Sequence, residues 1–364
     1  MPDAAIRHVA ARAYKIPTDQ PEADGTLEWD STTLVLVEIE AGGRKGLGYT
    51  YADASLVPLI AGKLAEIVTD REAFDIAAIG AALWRQVRNL GRSGLAATAI
   101  SAIDVALWDL KAKLLGQPLV ALLGMKRECV PIYGSGGFTT YTNDTLQRQL
   151  AGWVERDGCR WVKMKIGSCP AEDPARIEAA RAAIGDRGLF VDANGAFAPN
   201  QAVALAQRVA EQRLSWFEEP VSSDDADGLF FVRDYAPAGM DIAAGEYGYT
   251  LDDFQRLLER PSVDVLQADA TRCGGISGFL QVGALCEARH IDLSGHCAPA
   301  IHLPVACAAL RLRHLEWFHD HVRIEGMLFD GAPQPKEGTI APDLSRPGIG
   351  LVLKESDAER FRVA

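Results

Sequence analysis

Ten residues in the second half of the chain carry side chains that could do chemistry together: Lys163, Lys165, Asp192, Asn194, Glu218, Glu219, Glu246, Asp269, His296 and Glu316. Asp192, Glu218 and Glu246 each follow a short apolar run. Three carboxylates converging without a cation would repel, and at least one would stay protonated. Hard oxygen donors without Cys or His select Mg2+ rather than zinc. The plainer alternative is that each acid caps the helix that follows it, since a carboxylate is favourable beside a helix N-terminus. Lys163 and Lys165 are two residues apart, so on a strand they share a face. Two ammonium groups in one pocket raise each other's charging cost, and the pKa of at least one falls, as a general base requires. A solvated Lys pair beyond a strand edge is the alternative. Asp269 and His296 form a possible second acid/base group: a carboxylate on one imidazole nitrogen fixes the tautomer and raises basicity at the other.

The remaining histidines and cysteines suggest less. His319 and His321 flank Asp320 in the manner of a metal clip, but a solvated loop is the expected setting. His302 and Cys307 read as core residues on an apolar helix, and Cys297, beside His296, as packing.

Placing ten such groups in one site requires a repeated element. From about residue 130 the chain repeats a short apolar strand, a polar tip and an amphipathic helix. Strands are predicted to begin near Val130, Trp161, Leu189, Trp216, Asp241, Val265, Ile291 and His314, and the intervals from Trp161 onward are 23 to 28 residues. That length fits a strand, a crossover helix and two loops. Eight such units predict an α/β fold of the (β/α)8 TIM-barrel type, whose catalytic groups come from the C-terminal ends of the strands. A doubly wound open sheet is the rival, but Gly134-Ser135-Gly136-Gly137 lacks its GxGxxG spacing. Residues 1–125 read as an α+β capping domain, with strands over Thr32–Ile39 and Gly46–Tyr51 and a helix over Leu95–Leu115. The barrel takes 126–335. The Pro- and Gly-rich stretch 336–364 is expected to pack on the surface or back on the cap. Pro17–Asp30, acidic and without periodicity, is predicted to be a loop.

Composition narrows the partners. The 364 residues are 48% hydrophobic, enough for a large core, and the net charge of −12 offers no basic field for nucleic acid or an anionic membrane. No apolar run approaches bilayer length, the start lacks a secretory pattern, and seven Cys without a CxxC pair imply neither disulfide framework nor zinc finger. A soluble, cytoplasmic protein is expected, self-associating as a homo-oligomer.

In order along the chain, Val162-Lys163-Met164-Lys165-Ile166-Gly167, Val191-Asp192-Ala193-Asn194-Gly195, Trp216-Phe217-Glu218-Glu219-Pro220, Ala244-Gly245-Glu246, Gln267-Ala268-Asp269, Ser294-Gly295-His296 and His314-Leu315-Glu316 strongly resemble the enolase superfamily, and within it the mandelate racemase subgroup. Ser101–Leu110 is similar to the family's helix leading into the barrel. The likeness covers nearly the whole chain. It implies one Mg2+ per site on Asp192, Glu218 and Glu246, binding a substrate carboxylate whose α-proton is removed. It implies Lys165 as the base on one face, tuned by Lys163, and His296 oriented by Asp269 on the other. Glu316 would share a proton with the substrate carboxylate and would then be partly protonated; Asn194 and Glu219 would touch the substrate or metal, or the residues that do. It also implies that the Pro17–Asp30 segment folds over the barrel mouth and that the C-terminal segment returns to the cap. Mandelate-type substrates need an apolar lid, whereas Thr18, Asp19, Gln20, Glu22 and Asp24 offer hydrogen bonds to hydroxyls. The expected reaction is therefore dehydration of an acid sugar, an aldonate or aldarate, to a 2-keto-3-deoxy acid. The alternatives are a racemase or epimerase of a 2-hydroxy acid, a cycloisomerase, disfavoured by the His-Asp pair, and a metal-free barrel that only binds.

Overall fold

The cap is built on three antiparallel strands, β1 (His8–Ala23), β2 (Glu28–Ala41) and β3 (Arg44–Tyr51), paired in that order. The computed structural model describes residues 4–364. Both faces of β2 are apolar, which is why the sheet is sandwiched. Leu34 and Leu36 join Tyr14 and Ile16 in the core shared with the barrel, while Val35, Val37 and Ile39 pack on the cap helices. The helix Leu95–Leu114 lies against β3, where a Cβ at Gly46 or Gly48 would collide with the backbone of Ala106 or Ala102. Only glycine permits that approach.

Eight parallel strands follow: β4 (Val130–Gly136), β5 (Trp161–Lys165), β6 (Gly188–Asp192), β7 (Leu214–Glu218), β8 (Asp241–Ala244), β9 (Val265–Ala268), β10 (Asp292–Gly295) and β11 (Leu312–Phe318). Each begins within two residues of its predicted start. β11 pairs with β4 in parallel, Leu315 opposite Ile132, so the sheet closes and an open doubly wound sheet is ruled out. Helices such as Asp173–Ile184 and Pro199–Arg208 join the strands and cover the barrel. The C-terminal stretch first adds Thr339–Ile340 antiparallel to β4, then returns to the cap, where Phe361 O accepts from Lys15 N (2.8 Å) and Val363 N donates to Ala13 O (2.8 Å).

Two expectations are corrected. Pro17–Asp30 is not a loop: β1 runs to Ala23 and β2 starts at Glu28, with the pairing register broken between Pro17 and Glu22. Two of the acids that suggested a loop accept hydrogen bonds within the hairpin. Asp24 Oδ1 accepts from the amides of Thr26 (2.6 Å) and Leu27 (2.7 Å), which makes the turn, and Trp29 Nε1 donates to Glu22 Oε2 (2.9 Å). His319 and His321 lie on the helix His319–Leu328 rather than a solvated loop, and His321 is buried against Tyr51. No helix among the described residues is long and apolar enough to cross a membrane.

Candidate active site

Residues two apart on a strand point the same way, and the barrel interior is layered accordingly. The lower layer holds Tyr133, Phe190 and Trp216, with Phe190 stacked on Trp216 at 5.0 Å. His314 packs edge-on to Tyr133 at 4.7 Å, and burial takes it down to about 3, so it is neutral. One step up each strand stand the ionisable groups: Lys163 above Trp161, Asp192 above Phe190, Glu218 above Trp216 and Glu316 above His314. Trp216 Nε1 donates to Glu218 Oε2 (2.9 Å), and Lys163 Nζ lies 5.5 Å from the centre of the Tyr133 ring. Sequence alternation thus builds an aromatic floor beneath a charged layer.

All ten predicted residues meet at the mouth. Lys163, fully buried, bonds Glu218 and also reaches Glu316 Oε1 (2.8 Å) and Asp192 Oδ2 (3.2 Å). Lys165 Nζ donates to Asp192 Oδ2 (2.5 Å) and Asn194 Oδ1 (3.0 Å). The expected fall in lysine pKa is not seen. Burial lowers it at both, but the carboxylates outweigh burial: Glu218, Glu316 and Asp192 raise Lys163, and Asp192 raises Lys165. Nor is Glu316 protonated. Burial pushes its carboxyl up, yet Lys163, His296 and Lys165 bring it well below the usual carboxylate range, and it accepts from Ser135 Oγ (2.6 Å) and Cys297 N (3.0 Å). Two other acids of the site are pushed up instead. Burial, then Asp192, raises Glu218 well above its ordinary value; burial, then Glu246, does so for Glu219.

Across the mouth, His296 Nδ1 bonds Asp269 Oδ2 (2.9 Å), which leaves Nε2 facing the site, 3.4 Å from Glu246 Oε2. Asp269 is itself fixed: Thr271 N donates to its Oδ1 (2.7 Å), and the charge of His296 and its bond offset burial to hold it low. Cys297 is not mere packing, because its Sγ lies 3.3 Å from both His296 Nε2 and Glu316 Oε2. His302 remains a core residue, and its Nε2 accepts from Ala270 N (2.8 Å) just beyond Asp269. His319 contributes to no clip with His321; its Nε2 meets Asp19 Oδ2 at 3.0 Å.

Ligand atoms of Asp192, Glu218 and Glu246 lie within 4.8 Å of one another, and all three residues are buried. Among the described residues, the buried Oε2 of Glu246 and Oε1 of Glu219 have no hydrogen-bond partner. Buried orphan carboxylate oxygens are costly unless a cation meets them. The donor set, all oxygen, fits a hard divalent ion such as Mg2+. Asn194 and Glu219 sit at positive φ, 46° and 37°, at the tips of β6 and β7. Such backbone is strained for non-glycine residues and collects at working sites.

A cavity of about 540 Å3 opens beside Asn194 and Glu219, lined also by Ser93, Tyr247, Tyr249 and Arg256. Ser93 comes from the cap, between the helices Ile76–Gln86 and Leu95–Leu114, and no sequence signal marks it. Tyr247 was discoverable as the neighbour of Glu246. The cap hairpin is pinned to the same mouth: Thr139 N donates to Ala23 O (2.9 Å), Thr140 Oγ1 to Pro21 O (2.7 Å), and Trp29 meets the Phe138 ring edge-on at 5.6 Å. Of its acids, Glu22 lies near Asp320 and Asp19. Burial, then Asp320, pushes Glu22 up to about 8.

Comparison with known proteins agrees with this geometry. A family model described as "Mandelate racemase / muconate lactonizing enzyme, N-terminal domain" matches residues 10–124, and one described as "Enolase C-terminal domain-like" matches 145–357. The chain belongs to the mandelate racemase/muconate lactonizing enzyme family. A mandelate racemase/muconate lactonizing enzyme-like protein from Rubrobacter xylanophilus is 49% identical and superimposes with a TM-score of 0.96 over 99% of this chain and 100% of that one. The 3,6-anhydro-alpha-L-galactonate cycloisomerase of Streptomyces coelicolor is 32% identical over 98% of both chains. The L-talarate/galactarate dehydratase of Salmonella typhimurium LT2 is 32% identical over 88% of this chain and 81% of its own. Its structure liganded with Mg and L-lyxarohydroxamate has a TM-score of 0.89, over 99% of this chain and 93% of that one.

Proposed function

We propose that the protein is a Mg2+-dependent acid-sugar dehydratase that converts an aldonate or aldarate to a 2-keto-3-deoxy acid. One observation carries the reading: Lys165 borders the three-acid cluster at Asp192, and His296, backed by Asp269, borders it from the other side at Glu246. Two proton-transfer groups thus flank a cation-binding centre. Bound by Asp192, Glu218 and Glu246, Mg2+ would supply a Lewis acid for the substrate carboxylate.

Lys165 takes the α-proton. To do so it must be neutral, and neutralising the acids around it leaves burial and the Lys163 charge, both of which lower its pKa. Lys163, held by Glu316 and Glu218, keeps a fixed positive charge next to the developing anion. His296 gives a proton to the departing β-hydroxyl, which leaves as water, and the enol that remains rearranges to the 2-keto acid. Asp269 holds the imidazole so that Nε2 makes that transfer. The hydroxyls of Ser93, Tyr247 and Tyr249, with Arg256, line the adjoining cavity and suit a polyhydroxylated chain. The relatives named as dehydratases of talarate/galactarate, gluconate, arabinonate and galactonate support the substrate class.

Two relatives named as cycloisomerases favour a second reading, in which the same α-proton leaves and no water is lost. A library of aldonic acids, aldaric acids and their lactones separates the two, because only dehydration lowers the product mass by one water. Glu218→Gln should bind Mg2+ at least about tenfold more weakly and lose turnover with its fold retained. Full activity of that variant, or of the native protein in excess chelator, would remove the proposal.

A further inference from the structure

Cys297 carries a thiol in the mouth that the proposed reaction leaves unused. Its Sγ, the Nε2 of His296 and the Oε2 of Glu316 form a triangle with sides of 3.3 Å (S to N), 3.3 Å (S to O) and 3.7 Å (N to O). Bonds of the length that zinc makes to S, N and O, meeting at the tetrahedral angle, place such donors roughly 3.4–3.6 Å apart. The donors are also chemically suited: a thiol, an imidazole and a carboxylate make a softer set than the three acids nearby. All three residues are buried, at 4%, 6% and 1% exposure.

Three further observations point to the same spot. Asp269 ties down His296 Nδ1, so Nε2 is the ring atom that faces the thiol, which is the arrangement that carboxylates impose on zinc-binding histidines. Cys297 adopts φ +51°, a conformation costly for a non-glycine residue, and this turns its thiol towards His296 and Glu316. Glu246 Oε2, buried and without a hydrogen-bond partner among the described residues, lies 3.4 Å from His296 Nε2 and is aimed into the same space.

We infer that His296, Cys297 and Glu316 form a second metal site, selective for Zn2+ and similar thiophilic ions, next to the all-oxygen cluster. Occupation displaces the thiol proton and the Nε2 proton of His296, both of which pass to solvent, in favour of metal–sulfur and metal–nitrogen bonds, and so takes up the Nε2 that the reaction needs. Such ions therefore inhibit the Mg2+-loaded enzyme by silencing His296 rather than by displacing Mg2+. The inference rests on donor geometry and stands whether or not the substrate is an acid sugar.

The test uses the full chain in saturating Mg2+. Calorimetry should record one Zn2+ bound per chain, and Co2+ added instead should give a thiolate-to-metal charge-transfer absorption. Cys297→Ser and Cys297→Ala should both lose that absorption and bind Zn2+ at least about tenfold more weakly. Comparison with these variants removes any contribution from the exposed Cys129 and Cys169. Glu218→Gln, which disables the oxygen cluster, should keep the absorption, so failure of the Mg2+ reading and failure of this one give different results. No charge-transfer band in the native protein, or equal Zn2+ affinity in the native and Cys297 proteins, overturns the site. So does loss of the band in Glu218→Gln.

Discussion

Lys165 and His296 differ in what surrounds them more than in what they are. Lys165 is closed in by Asp192 and Asn194, whereas His296 Nε2 looks across at Glu246, Glu316 and Cys297. Removing either should therefore fail differently. Lys165→Ala should lose both turnover and α-hydrogen exchange in D2O, by a factor of about 10²–10⁴. His296→Asn should lose dehydration by a similar factor while exchange through Lys165 persists. NMR of recovered substrate checks both, and normal exchange by Lys165→Ala would contradict its assignment as the base. The positions of these groups were legible in the sequence, because a two-residue alternation on a strand fixes which side chains share the interior. Their charge states were not. The sequence shows two neighbouring lysines and suggests mutual repulsion, but only the fold reveals that Lys163 touches three carboxylates from three other strands. Cys297 was missed for a related reason: its direction depends on a positive φ that the bare sequence does not announce.

Among the elements, the helix Leu95–Leu114 joins cap to barrel through a row of polar side chains. Ser101 Oγ accepts from Gly274 N (2.8 Å), Asp104 accepts from Ser277 Oγ (2.6 Å) and Ser277 N (3.0 Å), and Trp108 Nε1 donates to Ser277 Oγ (2.9 Å). Burial raises the Asp104 carboxyl to about 7, against the bonds from Ser277 that lower it. Its folded pKa thus lies above the unfolded value of about 3.9, so folding takes up a proton. The stabilisation is complete below about pH 3.9 and is lost as pH rises to about 7, a swing on the order of a few kcal/mol. Asp104→Asn should gain in unfolding midpoint relative to the native protein across that interval. Parallel melting curves in the two proteins from pH 4 to pH 7 would refute it. The barrel strands were legible element by element, since apolar runs recurring every 23 to 28 residues leave few other readings. The Pro17–Asp30 hairpin was not, because its pairing is held by contacts remote in sequence, Thr139 and Phe138 on the barrel, while local composition speaks for a loop.

For the molecule as a whole, the last residues act as a clasp. Phe361 and Val363 bond Lys15 and Ala13 of β1, and Ala364 O accepts from Ala13 N (2.9 Å). Deleting Phe361–Ala364 removes four backbone bonds to β1, each contributing about 0.5–1.5 kcal/mol. Hydrogen exchange should speed up at Ala13 and Lys15 and stay unchanged in the barrel strands; uniform acceleration would mean that the clasp holds more than the cap. The barrel those strands form is stopped at one end. Tyr133, Phe190 and Trp216 fill its lower part, and Arg313 bridges Asp241 (2.5 Å) and Asp292 (3.0 Å) at its base. The site is therefore a flask with a single neck, and the neck is where cap meets barrel. A hydrogen lifted from substrate has no drain through the bottom. It leaves only through the neck, and until it does it can return to the carbon it left. The share of solvent deuterium found at the α-carbon of recovered substrate then works as a turnstile count, recording how often the lifted hydrogen is exchanged through the neck before it returns.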